Sequence, residues 1–250
     1  MKALVTGASS GIGKNIAKYL SNIGYDLIIV ARRQDKLEQL KQELKTDCKI
    51  ICTDLSSKDN CINLYNNTKS DNIDILINNA GFGIFGEFNE IEVEKEIGLI
   101  NTNIIATHIL TKLFLKDMLE RNQGYILNVS SIASFMPGPL MSSYYASKAY
   151  ITRLSQGINK ELKKHKSNVS ISILCPGPVL TEFNNVAGVN FSIKPLSSQY
   201  VAKYTIDKMF KRKLIIIPGF INKCARVLSK ISPDNLVMNI TYNIQHNKSK

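Results

Sequence analysis

Tyr144 and Lys148 stand four residues apart in a stretch whose apolar spacing is helical, so a phenol and an ammonium share one face. A phenol titrating near ~10 is a poor proton donor at neutral pH, but a cation held close stabilises the phenolate and lowers that value. Ser131 precedes the tyrosine at the end of a predicted strand. Its hydroxyl can donate a hydrogen bond to an oxygen on which negative charge develops. A tuned proton donor and an oxyanion donor together suit proton transfer at a carbonyl or alcohol oxygen. Neighbouring Ser130 would face the other side of its strand, and Tyr145, three residues from Lys148, is read as packing.

A second group of residues lies far upstream. Thr6-Gly7-Ala8-Ser9-Ser10-Gly11-Ile12-Gly13 follows a short apolar run and precedes a helical pattern. Its glycines let the backbone turn tightly off a strand and approach a pyrophosphate, with the next helix directing its positive N-terminus at the phosphates. Gly7, Ser9, Ser10, Gly11, Ile12 and Gly13 are therefore the expected cradle of a dinucleotide. At the end of the second strand Ala31 is followed by Arg32 and Arg33. An acid there would accept hydrogen bonds from a ribose diol, whereas guanidinium groups attract a 2′-phosphate, so the expected cofactor is NADPH (NADP+) bound through Arg32. The alternative, arginines that cap the next helix or stand exposed, applies to Arg33 more than to Arg32.

These groups must be positioned by regular elements. Strand patterns appear at 2–6, 27–31, 49–52, 73–78, 125–129, 169–175 and 214–217, and helical patterns at 12–23, 35–45, 58–70, 97–121, 143–164 and 198–211. Strands alternate with helices and are apolar on both faces, as in Leu27-Ile28-Ile29-Val30. That predicts an α/β fold, a doubly wound parallel sheet of about seven strands in one Rossmann-type domain over 1–218, with a C-terminal helical extension over 219–250. The segment 182–198 reads equally as a flap over the substrate or as a connecting loop.

The residues now in hand resemble the short-chain dehydrogenase/reductase family. The likeness rests on Thr6-Gly7-xxx-Gly11-x-Gly13, Asn78-Asn79-Ala80-Gly81, Ser131, Tyr144-xxx-Lys148 and Pro176-Gly177, in the family's order and spacing, and covers about residues 1 to 218. The resemblance implies an oxidoreductase that passes a hydride between a nicotinamide and a carbonyl carbon. Tyr144 would protonate the oxygen, Ser131 would steady it, and Lys148 would hold the nicotinamide ribose. It also implies that Asn103, in the helix of 97–121, organises a water leading protons to Lys148, with Asn101 as a weaker rival. Asp54 and Leu55 would contact the adenine, Asn79, Ala80 and Gly81 the adenine ribose, and Pro176, Gly177, Val179 and Thr181 the nicotinamide carboxamide and phosphates. The expected partner is a small-molecule carbonyl or alcohol, and apolar residues at 83–86, 135–137 and 183–191 favour a hydrophobic ketone or aldehyde. A dinucleotide-binding sensor or assembly protein with little turnover is the competing reading, and the intact Ser131, Tyr144 and Lys148 count against it.

Composition limits the remaining possibilities. The 250 residues are 44% hydrophobic and 21% charged, an ordinary globular balance for one core. No uninterrupted apolar stretch approaches a bilayer span and no cleavable leader precedes the glycine turn, so a cytoplasmic protein is expected. Five cysteines without metal-like clustering are expected to be reduced, and no metal site is expected. Of the net charge of +12, residues 201–250 carry a large share, with ten Lys or Arg against Asp207 and Asp234. No aromatic-basic module accompanies this charge, so nucleic acid is not an expected partner. Beyond Pro218, Phe220, Ile221, Cys224, Leu228 and Ile231 fall on one helical face and Lys223, Arg226 and Lys230 on another. The reading preferred is packing of this extension on its own domain, ahead of contact with a membrane surface or an acidic carrier protein. A homo-oligomer is open.

Overall fold

A computed structural model of the chain describes residues 1–183 and 195–246. Seven parallel strands form its main sheet: β1 (Lys2–Thr6), β2 (Asp26–Ala31), β3 (Cys48–Cys52), β4 (Ile75–Asn78), β5 (Gly124–Val129), β6 (Val169–Leu174) and, at the far edge, β9 (Ile215–Ile216). Their spatial order is β3-β2-β1-β4-β5-β6-β9. The chain therefore winds outward in one direction from β1 and then, starting at β4, in the other. β1 and β4 lie side by side with Leu4 opposite Leu76 and Val5 opposite Ile77. The loops leaving their carboxyl ends diverge, and the crevice between them is where ligands bind in such sheets.

Alternation along the strands explains why both faces are covered. Leu27 and Ile29 enter one core with Ile16, Leu20, Leu37 and Ile206, while Ile28 and Val30 enter a second with Leu64, Leu110, Phe114 and Met118. Each such fully buried side chain contributes roughly 1.5–3 kcal/mol. The first face is covered by α1 (Gly11–Asn22), α2 (Gln34–Glu43) and α7 (Ser198–Phe210), and the second by α3 (Lys58–Asn66), α5 (Thr107–Glu120) and α6 (Ser142–Lys164). Two further helices, α8 (Phe220–Ile231) and α9 (Asp234–His246), complete the described chain.

Several local features differ from the periodicity. The helical pattern at 97–121 starts earlier, as α4 (Val93–Ile100), and reaches α5 through a π-helical turn, Asn101–Ala106. The whole run Val93–Glu120 is long and apolar enough to cross a membrane by composition, which the sequence reading did not anticipate. Its Leu99, Ala106, Leu110, Phe114 and Met118 are buried, four of them in the second core. α3 stops at Asn66, and Lys69–Asp71 forms a separate 3₁₀ turn. A two-stranded parallel ribbon of β7 (Val179–Leu180) and β8 (Leu196–Ser197) had no period-2 signal long enough to read. The proposed flap falls mainly on 184–194 and lies outside the described residues.

Candidate active site

The glycine turn is built by close approach. Gly7 and Gly11 sit at φ +63° and +55°, where side chains are strained, and a Cβ on Gly7 would lie 2.8 Å from the Ala80 Cα. Thr6 Oγ1 accepts from the backbone N–H of Asn79 and Ala80 at 3.0 and 3.1 Å, and the Asn79 side-chain amide donates to Thr6 and Gly7 carbonyls at 3.1 Å. The turns after β1 and β4 are thereby tied into one rigid wall. Ser10, the cap residue of α1, bonds no helix N–H through its side chain, and the first turn carries no acid, so the positive end of the helix faces the crevice.

A cavity of about 680 Å³ runs from this turn to Tyr144. Its wall takes in Gly7, Ser9, Ser10, Gly11, Ile12, Arg32, Asp54, Leu55, Asn79, Ala80, Gly81, Ser131, Tyr144, Lys148, Pro176, Gly177, Val179 and Thr181. Two expected site residues stand behind the wall instead. Gly13 is buried, where a Cβ would come within 2.4 Å of the Gly7 carbonyl oxygen, so it serves helix packing rather than ligand contact. Asn103 is 1% exposed in the π-helical turn. Its amide oxygen accepts from Phe82 N–H at 3.0 Å, and its amide nitrogen donates to the Phe82 carbonyl at 2.9 Å and to Ser147 Oγ at 3.0 Å. Asn103 thus fixes the Gly81-Phe82 loop from behind. The Cβ that Gly81 lacks would fall 2.9 Å from the Asn103 amide oxygen and 3.3 Å from Lys148 Nζ.

Ser131, Tyr144 and Lys148 converge where β5 ends beside α6. Ser131 Oγ accepts from Ala133 N–H at 3.1 Å, capping the short 3₁₀ turn Ile132–Phe135, and acts electrostatically on the Tyr144 hydroxyl. Ser130 turns away, its hydroxyl bonding Lys148 O and Thr152 Oγ1 at 2.8 Å each, which pins α6 to the strand. Lys148 Nζ lies 5.7 Å from the Tyr144 ring centre and donates to Val129 O at 3.0 Å. Burial pushes the Lys148 ammonium down to about 8. Burial also pushes the Tyr144 phenol up to about 12, with the Ser131 hydroxyl pulling the other way. The lowering by Lys148 that the sequence suggests is absent in this geometry: desolvation dominates, the neighbouring Tyr145 adds to it, and Lys148 does not shift the phenol.

The two arginines also divide differently from the reading. Arg32 is 71% exposed at its side chain and only 3.9 Å from Asp54, a loose pair, while Arg33 Nη2 reaches Ser9 Oγ at 3.1 Å and Glu182 at 2.7 Å. Arg33 therefore leans over the phosphate turn, and both line the cavity. Thr181 closes the same end, its methyl 2.8 Å from where a Gly11 Cβ would sit.

At the other end the wall is apolar. Met141, Phe85, Tyr144, Tyr145 and Phe183 form one cluster, with Tyr144 and Phe183 ring centres 5.4 Å apart. Tyr145 does pack, yet it also lines the cavity, and its hydroxyl accepts from the Gln245 amide at 2.5 Å. Ile221, Asn222 and Ala225 of α8, with Thr241, Ile244 and Gln245 of α9, complete the mouth. None of these residues carries a local motif, and only the return of the chain to the pocket reveals them.

A parallel sheet with a glycine turn at its switch point and a serine, tyrosine and lysine beyond its carboxyl ends defines a dinucleotide-dependent oxidoreductase. The model of the short chain dehydrogenase family matches residues 1–189, and the chain belongs to that family. It is 32% identical over 203 residues to an uncharacterized oxidoreductase of Staphylococcus epidermidis, covering 80% of this chain and 86% of that one. It is also 32% identical over 211 residues to a very-long-chain 3-oxoacyl-CoA reductase of Anas platyrhynchos, 80% of this chain and 66% of the longer relative. A short-chain dehydrogenase from Sphingobium yanoikuyae, solved with NADPH, superposes with a TM-score of 0.81 at 27% identity, covering 93% and 96% of the two chains. Gly7, Gly11 and Gly81 line the cavity where a Cβ would collide with Ala80, Thr181 and Asn103, and a wall of such close-packed backbone fits a nicotinamide dinucleotide.

Proposed function

We propose that this chain is an NADPH-dependent reductase of a hydrophobic ketone or aldehyde, able to run in reverse on the alcohol. The observation that carries the reading is the convergence of Ser131, Tyr144 and Lys148 in one cavity with the glycine turn. The bound nicotinamide supplies or accepts the hydride. Tyr144, kept protonated by its burial, gives its proton to the carbonyl oxygen as charge builds there, and Ser131 donates a hydrogen bond to the same oxygen. Lys148 holds positive charge beside the phenol, offsetting the negative charge left when the proton departs. Asn103 acts at one remove, holding the Gly81-Phe82 loop against which the cofactor would rest.

Arg32 and Arg33 at the cavity's edge support a preference for the 2′-phosphate, since Arg32 is only loosely paired with Asp54 and a guanidinium keeps further donors that a phosphate can engage. The apolar wall of Met141, Phe183 and Tyr145 supports a substrate with a large hydrocarbon portion. Reduction of a 3-oxo group on a long acyl chain, the activity named for the Anas platyrhynchos relative, belongs to that substrate class.

The test is NADPH oxidation against aromatic ketones, cyclic ketones, aldehydes and acyl thioesters, with Tyr144→Phe alongside. Loss of the proton donor should lower kcat by about 10²- to 10⁴-fold and leave NADPH binding intact. Unchanged turnover in the variant would remove Tyr144 from the chemistry.

A further inference from the structure

Helix α8 is mounted inside out. Its small and polar residues, Asn222, Ala225, Arg226 and Ser229, face the protein: Asn222 donates to Pro218 O at 2.7 Å, and the Arg226 guanidinium lies 4.9 Å from the Phe135 ring centre. No residue of the helix is buried. Phe220 and Ile231, at 78% and 74% exposed, lead an apolar stripe with Ile221, Val227 and Leu228, an arc of about 120° directed at solvent. The extension packs on its own domain through its small and polar residues, and its apolar stripe is the face turned outward. In α9 the same holds for Leu236, Ile240 and Ile244, spaced four residues apart and each about half exposed. Ile221 and Ile244 also line the cavity, so each stripe reaches it. Exposed apolar patches of this extent on a soluble domain mark a surface that something covers.

Charge indicates what covers it. α8 contains no acid, and Lys223 and Lys230 fall together along one edge of its apolar stripe. Lys223 Nζ and Lys208 Nζ both lie within 6 Å of the Tyr204 ring centre, extending the cationic edge onto α7. A second copy of the chain docked about a twofold axis through α8 would set these lysines toward their own twins with no acid on the helix to offset them. An apolar stripe flanked by lysines instead suits an anionic bilayer, where the side chains of the stripe enter the acyl boundary and the ammonium groups reach the phosphates.

We infer that the outward faces of α8 and α9 seat the protein on an anionic phospholipid surface, with the mouth of the cavity turned to the lipid. The full chain is floated through a density gradient with vesicles of phosphatidylcholine alone and of phosphatidylcholine with about 30 mol % phosphatidylglycerol. It should rise with the anionic vesicles and weaken as salt is added. Phe220→Ser with Ile231→Ser should reduce the floated fraction by about tenfold or more. Lys223→Glu with Lys230→Glu should remove the preference for phosphatidylglycerol, at about fivefold per lysine. All four positions are exposed, so both variants should keep the parent's thermal midpoint. A parent chain that stays down with both vesicles overturns the inference, as does equal flotation of parent and Phe220/Ile231 variant. A micromolar dimer that the same variant dissociates, with no vesicle binding, assigns the patch to a second copy and overturns it equally. Flotation is read without turnover, so the outcome is independent of the reductase reading.

Discussion

Lys148 is the residue whose titration should govern the rate. Burial lowers its ammonium to about 8, while the Tyr144 phenol at about 12 stays protonated throughout the working range. The sign follows directly: below pH 8 Lys148 is charged and the phenolate left by proton transfer has its counter-charge, and as pH rises through that value the charge is lost. Carbonyl reduction should therefore be flat to about pH 8 and decline above it, in kcat/KM as a function of pH. Lys148→Arg, whose guanidinium does not titrate there, should lower the rate but remove the decline. A decline that persists in that variant belongs to another group. The cysteines do not compete for this role, since burial pushes Cys175 up to about 12 and Cys48 and Cys61 to about 11.

At the scale of elements, the π-helical turn Asn101–Ala106 decides how the site is held. A π turn inserts a residue's worth of backbone into a helix and re-aims the side chains that follow. Here it brings Asn103 inward to satisfy both backbone groups of Phe82. Asn103→Leu would strand them, at about 1–3 kcal/mol for each unsatisfied group. The thermal midpoint should fall by about 4–24 °C for a chain of this size, and kcat should fall with it because the Gly81 loop loses its backing. A variant with normal stability and turnover would show that the loop needs no such support. The apolar spacing over 97–121 announced a helix but not its π turn, because one inserted residue leaves the 3.6-residue pattern almost unchanged over so short a span. The sequence did mark Asn103, through the family likeness rather than through any periodicity.

For the whole molecule, cofactor binding and folding are linked, since the turns after β1 and β4 form one wall only in the folded sheet. A ligand present at about 100 times its Kd adds ~2.7 kcal/mol to stability, a rise of roughly 5–11 °C at this length. NADPH should give that shift, and NADH at equal concentration a clearly smaller one, because Arg32 and Arg33 have no phosphate to hold. Equal shifts would mean that the arginines serve the structure alone, Arg33 through Glu182 and Arg32 through Asp54.

The sequence by itself determined the winding of the sheet, the glycine turn and the placing of Tyr144 and Lys148 on one helical face. Strand and helix periods are local, a tight turn demands glycine wherever it occurs, and residues four apart on a helix share a face in any fold. Tertiary structure alone decided what long-range packing decides. It set Gly13 and Asn103 behind the wall, leaned Arg33 rather than Arg32 over the phosphate turn, and brought Gln245 to Tyr145 across 100 residues. It also raised Tyr144 by burial and turned the apolar stripe of α8 outward. Each of these depends on which surfaces lose water when distant segments meet, and no local pattern records that.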